Sequence, residues 1–170
     1  MTCPRAAGAS LTTSVDAVNL SSHVKITAVG PFLKLDASTL TVNSGSAINV
    51  QGGSLLKVTG DLLGLNNGAL LKVLAGGALR VVGGSVVNVS GAFVAFGGSS
   101  GNSINITNSA CSSTCSSSGG ISFLATNGAT VSILGTAIKN SSLGSFTLSS
   151  GQTAAIIADG ASTKVTISGN

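Results

Sequence analysis

From residue 48 to residue 96 the chain reads INVQGGSLLKVTGDLLGLNNGALLKVLAGGALRVVGGSVVNVSGAFVAF. Seven short apolar–polar–apolar units lie in it: Ile48-Asn49-Val50, Leu56-Lys57-Val58, Leu63-Gly64-Leu65, Leu71-Lys72-Val73, Leu79-Arg80-Val81, Val87-Asn88-Val89 and Val94-Ala95-Phe96. Alternation over three residues sends two side chains to one face and one to the other, which is the period of a strand. Between the units stand Gly52-Gly53, Asn66-Asn67-Gly68, Gly76-Gly77 and Gly83-Gly84. Gly and Asn turn a chain through positive φ with little steric penalty. The units begin every 7 or 8 residues, too short a step for a meander of hairpins with strands of ordinary length. It suits a chain that turns the same way at every corner.

The pattern continues outward. Before it come Val24-Lys25-Ile26, Leu33-Lys34-Leu35 and Leu40-Thr41-Val42. After it come Ile104-Asn105-Ile106, Ile121-Ser122-Phe123, Val131-Ser132-Ile133, Phe146-Thr147-Leu148, Ile156-Ile157-Ala158 and Val165-Thr166-Ile167. Three sides per coil give 23 residues per turn, from 48 to 71 to 94. The expected fold is therefore all-β: a right-handed parallel β-helix, a triangular solenoid with three short strands per coil. The hand follows from the crossover rule for parallel strands. Around six coils about 4.8 Å apart would make a rod roughly 30 Å long. In this register Leu33, Leu56 and Leu79 stack inside one sheet. Residues 1–20 fit the repeat poorly and read as an N-terminal cap or irregular first coil, with Leu11, Val15 and Val18 at helical spacing. The β-helix then occupies 21–170, with an inserted loop expected at 107–120.

Composition excludes most chemistry. Charged residues are 7 % of the chain against about a quarter in an ordinary domain. There is no Glu, Tyr or Trp, and only one His. A hydrophobic content of 43 % excludes disorder. Asp36 and Asp61 fall near one corner region in the triangular register, but solvated turn aspartates explain them, and the reading is non-catalytic. His23 has no Cys, Asp or second His beside it, so no metal or cofactor site is assigned. Cys111 and Cys115 lack the second pair that a zinc tetrahedron needs. They either bridge the inserted loop or stay as two thiols, and Cys3 is left over. A net charge of +4 with sparse Lys and Arg, 5 Phe and no Tyr or Trp points away from a nucleic-acid interface. The uncharged stretch between Arg80 and Lys139 alternates and is broken by Gly83-Gly84, Asn88 and Gly91. It is not the run of roughly 20 apolar residues that membrane insertion as a helix requires.

Two surface features survive. In the triangular register Lys34, Lys57, Arg80 and Lys139 project from one face, serving either solubility or an anionic polymer such as an acidic glycan. Val165 and Ile167 form the last strand, followed only by Ser168-Gly169-Asn170. The edge of that coil is a template for another strand, so it is expected to meet a further coil of a longer chain or of a neighbouring molecule.

Gly53-Ser54-Leu55-Leu56-Lys57-Val58-Thr59-Gly60 and Gly84-Ser85-Val86-Val87-Asn88-Val89-Ser90-Gly91 resemble the coils of bacterial surface β-helices, namely filamentous haemagglutinin and autotransporter passenger domains. The resemblance spans about residues 24–170. It implies a rod-like segment of an exported adhesin or fibre at the cell surface, and carries no functional residue with it. The bactofilins, small β-helical proteins that polymerise end to end, are also similar in length. A bridged loop and low charge favour export over the cytoplasm. An ice-binding solenoid would need a regular Thr ladder, which Thr41, Thr147 and Thr166 do not supply.

Overall fold

The computed structural model describes residues 8–107, 123–148 and 156–169. The first coil holds β1 (Ser10–Thr13), β2 (Val18–Leu20), β3 (Lys25–Val29) and β4 (Leu33–Asp36). The second holds β5 (Thr39–Val42), β6 (Ile48–Val50), β7 (Leu55–Thr59) and β8 (Leu63–Asn66). The third holds β9 (Leu70–Val73), β10 (Leu79–Val82), β11 (Val86–Val89) and β12 (Val94–Gly97). The fourth holds β13 (Asn102–Ile106), β14 (Phe123–Thr126), β15 (Thr130–Ile133) and β16 (Ile138–Lys139). A partial fifth holds β17 (Gly144–Leu148), β18 (Ile156–Asp159) and β19 (Lys164–Ile167).

Every strand pairs in parallel with its equivalent one coil away, which makes four sheets. Sheet A runs β1-β5-β9-β13-β17, sheet B β2-β6-β10-β14-β18, sheet C β3-β7-β11-β15-β19 and sheet D β4-β8-β12-β16. The protein is a parallel β-solenoid of about four turns. One 3₁₀ turn, Ser141–Leu143, is the only helical element among the described residues, and no described helix is long and apolar enough to cross a membrane.

The coil is four-sided, and this corrects the triangular expectation. Partners in the second and third coils lie 31 residues apart in sequence, as for Ser54 with Ser85 and Asp61 with Ala92. Leu33, Leu56 and Leu79 occupy sheets D, C and B and do not stack. The strand step sets the length of a side; it does not say how many sides close the coil. Fewer, wider coils make the rod about 20 Å long at the usual strand spacing. Ser10–Leu20 supply strands of sheets A and B, in the stretch expected to be a cap or an irregular first coil.

Corner chemistry explains the closure. The B-to-C corner takes two consecutive residues of positive φ, Gly52-Gly53 (φ 63 and 70), Gly83-Gly84 (65 and 69) and Asn127-Gly128 (55 and 77). The C-to-D corner stacks Gly30, Gly60, Gly91, Gly135 and Gly169 in a column. There the backbones approach so closely that a Cβ on Gly135 would lie 2.5 Å from the carbonyl carbon of Gly91. Residues 43–47 and 74–78 link sheet A to sheet B in the second and third coils, and residues 107–122 do so in the fourth. The expected loop at 107–120 belongs to that link and, beyond Thr107, lies outside the described residues.

Inside, Leu40, Leu71 and Ile104 stack in sheet A, Leu56, Val87 and Val131 in sheet C, and Leu63 and Val94 in sheet D, all buried. Phe93 and Phe123 meet at 5.8 Å between ring centroids. Burying each such side chain contributes about 1.5–3 kcal/mol. A single coil could not bury its apolar face alone, so the core is formed by neighbouring coils covering one another.

Candidate functional site

The aspartates stand at four different corners. Asp16 lies between β1 and β2, Asp36 ends β4, Asp61 lies between β7 and β8, and Asp159 ends β18. Asp36 and Asp61 are therefore at opposite ends of sheet D and share no corner. Three of these carboxylates hold the following coil in place. Asp16 Oδ1 accepts from the Ser46 N–H at 2.6 Å and its Oδ2 from Asn49 Nδ2 at 2.8 Å. Asp36 Oδ1 accepts from Asn67 Nδ2 at 2.8 Å, and Asp61 Oδ1 from the Ala92 N–H at 2.8 Å. Asp159 accepts from its neighbour, the Gly160 N–H, at 2.7 Å. His23 is exposed on the first B-to-C corner with φ 63. No group of three or more His, Cys, Asp or Glu that could hold a metal occurs among the described residues.

Asn102 does similar work from the inside. It is buried, and all its amide valences are used across three coils. Oδ1 accepts from the N–H groups of Gly68 and Ala69 at 3.1 and 3.2 Å. The two hydrogens of Nδ2 are shared among the carbonyls of Gly97, Ser99 and Leu143 at 3.1, 3.0 and 2.9 Å.

The four expected basic residues do not form one face. Lys34 and Lys139 project from sheet D at equivalent positions with Gly64 and Ala95 between them. Lys57 projects from sheet C and Arg80 from sheet B. Arg80 Nη1 donates to Asn49 Oδ1 at 3.1 Å. The single line vanishes because it was counted on a coil of three sides. Lys25, Lys57 and Lys164 lie on sheet C in the first, second and fifth coils, and Lys34 and Lys139 on sheet D in the first and fourth, all exposed. Cys3, Cys111 and Cys115 lie outside the described residues, as does the bridge expected between the last two.

Val165 and Ile167 lie in β19, which among the described residues has a strand neighbour on one side only, and both pack half-buried against the core. At the opposite end β1 and β3 are edge strands too. Leu11 points to the core in register with Leu40, yet it is 63 % exposed where Leu40 is 2 % exposed. Ile26, Leu33 and Leu35 are half-buried at positions whose equivalents one coil on are buried. Sequence reasoning expected the strand at Val165–Ile167 and missed the one at Ser10–Thr13. The signal was present in Ser10-Leu11-Thr12, whose alternation matches Thr39-Leu40-Thr41.

No protein-family model, curated protein or solved structure matches this chain.

Proposed function

We propose that this protein is a structural rod segment of an exported surface adhesin or fibre, extended by coil-on-coil contact at its ends. The observation that carries the reading is the pair of terminal coil edges. Among the described residues the first and last coils have strands paired on one side only, with core-facing side chains less covered than those of the coils between, which is the state of a solenoid that continues into a further coil. The aspartates support it, since those facing a following coil are used to hold that coil. Export is supported by the low charge, and a Cys111–Cys115 bridge, one of the two states expected for these thiols, would add to that support because it persists in an oxidising compartment. The lysines of sheets C and D offer an acidic glycan a surface along the rod. In cells that make the protein, protease treatment of intact cells followed by immunoblotting should remove it, and immuno-electron microscopy should label the envelope. Protection in intact cells and loss after lysis would overturn the surface role. The same coil edges also suit a bactofilin-like cytoplasmic filament, and that second result would favour it.

A further inference from the structure

We propose that Asn127 is a site of spontaneous deamidation, at which the B-to-C corner of the fourth coil acquires an aspartate or isoaspartate. Asn67, in the other Asn-Gly step of the chain, is held against the same reaction. The two steps, Asn67-Gly68 and Asn127-Gly128, form a controlled comparison within one fold. Both asparagines are left-handed, with φ 57 at Asn67 and 55 at Asn127, and their glycines follow with φ 76 and 77. Both asparagines are exposed. In each case the glycine N–H donates to a side-chain oxygen of the adjoining coil, Gly68 to Asn102 Oδ1 and Gly128 to Thr163 Oγ1, both at 3.1 Å.

The difference lies in what holds the amide. Asn67 Nδ2 donates to Asp36 Oδ1 at 2.8 Å, and Asn67 Oδ1 accepts from the Ser99 N–H at 3.1 Å. That side chain is fixed at both ends, between the coil before it and the coil after it. Among the described residues no hydrogen bond reaches the side chain of Asn127. Its equivalent in the next coil is Gly160, which offers no side chain to hold it.

The reaction needs the asparagine side chain to swing until Cγ faces the following nitrogen. Glycine suits the attack, having no Cβ to shield that nitrogen or stiffen the backbone. The Gly128 nitrogen bonds to Cγ of Asn127 and gives up its proton, and Nδ2 leaves as ammonia, closing a cyclic imide. Water then opens the ring. Attack at Cγ gives aspartate, and attack at the backbone carbonyl carbon gives isoaspartate, with the chain running through Cβ. Water is the only co-reactant, so the step does not depend on the compartment. At Asn67 the same swing must first break the bonds to Asp36 and Ser99, which slows it about tenfold or more.

The products change the corner. The Asn127 carbonyl accepts from the Gly84 N–H at 3.0 Å, and isoaspartate inserts a methylene into the backbone at that contact. Either product places a carboxylate one residue and one coil from Asp159, since Thr126 pairs with Asp159.

Peptide mapping by mass spectrometry tests this after long incubation of the folded protein at mildly alkaline pH, with a sample in urea as the unhindered reference. In urea both steps should convert at similar rates. In the folded protein isoaspartate should accumulate at residue 127 about tenfold faster than at residue 67. Asn127→Gly, which gives the fourth coil the Gly-Gly of the second and third, should abolish the signal at that corner and keep the circular dichroism of the wild type. Asp36→Ala should raise conversion at Asn67 toward the rate at Asn127. Equal rates at the two sites of the folded protein, or faster conversion at Asn67, would overturn the proposal. So would a folded protein in which neither site converts while the urea sample does, or an Asp36→Ala protein whose Asn67 converts no faster.

Discussion

Gly91 donates its N–H to the carbonyl of Gly60 at 2.9 Å, and a Cβ on Gly91 would stand 2.5 Å from that carbonyl carbon. The coil spacing at this corner is thus set by the absence of a side chain. Gly91→Ala should destabilise the fold by about 1–3 kcal/mol, because two of the three nearest atoms, the Gly60 carbonyl carbon and Asp61 N, are backbone and cannot swing aside, and the third, Asp61 Oδ1, is held by the Ala92 N–H. Gly83→Asn is the contrasting case. The nearest atom to its added Cβ is 3.6 Å away, and the equivalent turn position one coil on is already Asn127 with φ 55. Its stability should change by less than about 0.5 kcal/mol. Urea midpoints for the two variants check the pair, and equal losses would refute the column as the determinant of coil spacing.

The same glycines show what the sequence allowed to be read and what it did not. Strand positions were legible almost residue by residue, because apolar–polar alternation is a local signal; Leu40–Val42, Leu63–Leu65 and Val87–Val89 all fall within observed strands. Closure was not legible from that signal, since every side has nearly the same length. It was written in the corners. Gly30, Gly60 and Gly91 recur at the true coil length, and the paired left-handed residues 52-53 and 83-84 mark one corner in four. An error in closure moves every lateral relationship. That is why the basic line of Lys34, Lys57, Arg80 and Lys139 dissolved.

Burial should grade the cost of truncation along the rod. Leu56 is fully buried between Ile26 and Val87 of the adjoining coils. Leu56→Ala should cost about 2–5 kcal/mol, and Leu56→Asp should abolish folding by burying an unpaired charge. Leu11→Ala, at a core position open to solvent, should cost less than about 1 kcal/mol in the monomer. Thermal unfolding followed by circular dichroism separates these cases. A folded Leu56→Asp protein would contradict the core as described.

The thiols offer a separate check on the cellular setting. Protein recovered from an oxidising compartment should carry Cys111 and Cys115 as a disulfide. Intact-mass spectrometry should then find roughly 2 Da gained on reduction, and the linked peptide should map to those two residues. Two alkylatable thiols in such protein would remove the support that the cysteines give to export.

Asn102 gives the most discriminating prediction, because its amide serves two N–H groups and three carbonyls from a buried position. Asn102→Leu keeps the volume and strands those five groups, so the loss should reach about 3 kcal/mol or more. Asn102→Asp is subtler. Its carboxylate still accepts from Gly68 and Ala69 but can no longer donate to Gly97, Ser99 and Leu143. Burial among carbonyls raises the folded-state pKa of that Asp above its unfolded value of about 3.9. The folded protein then binds the proton more tightly than the unfolded chain, so stability relative to wild type is greatest below about pH 4 and is lost as pH rises. Urea titrations of both proteins at acid and neutral pH should show the gap widening toward neutrality. A gap independent of pH would mean that residue 102 is hydrated, and that the corner is not held by a dry amide.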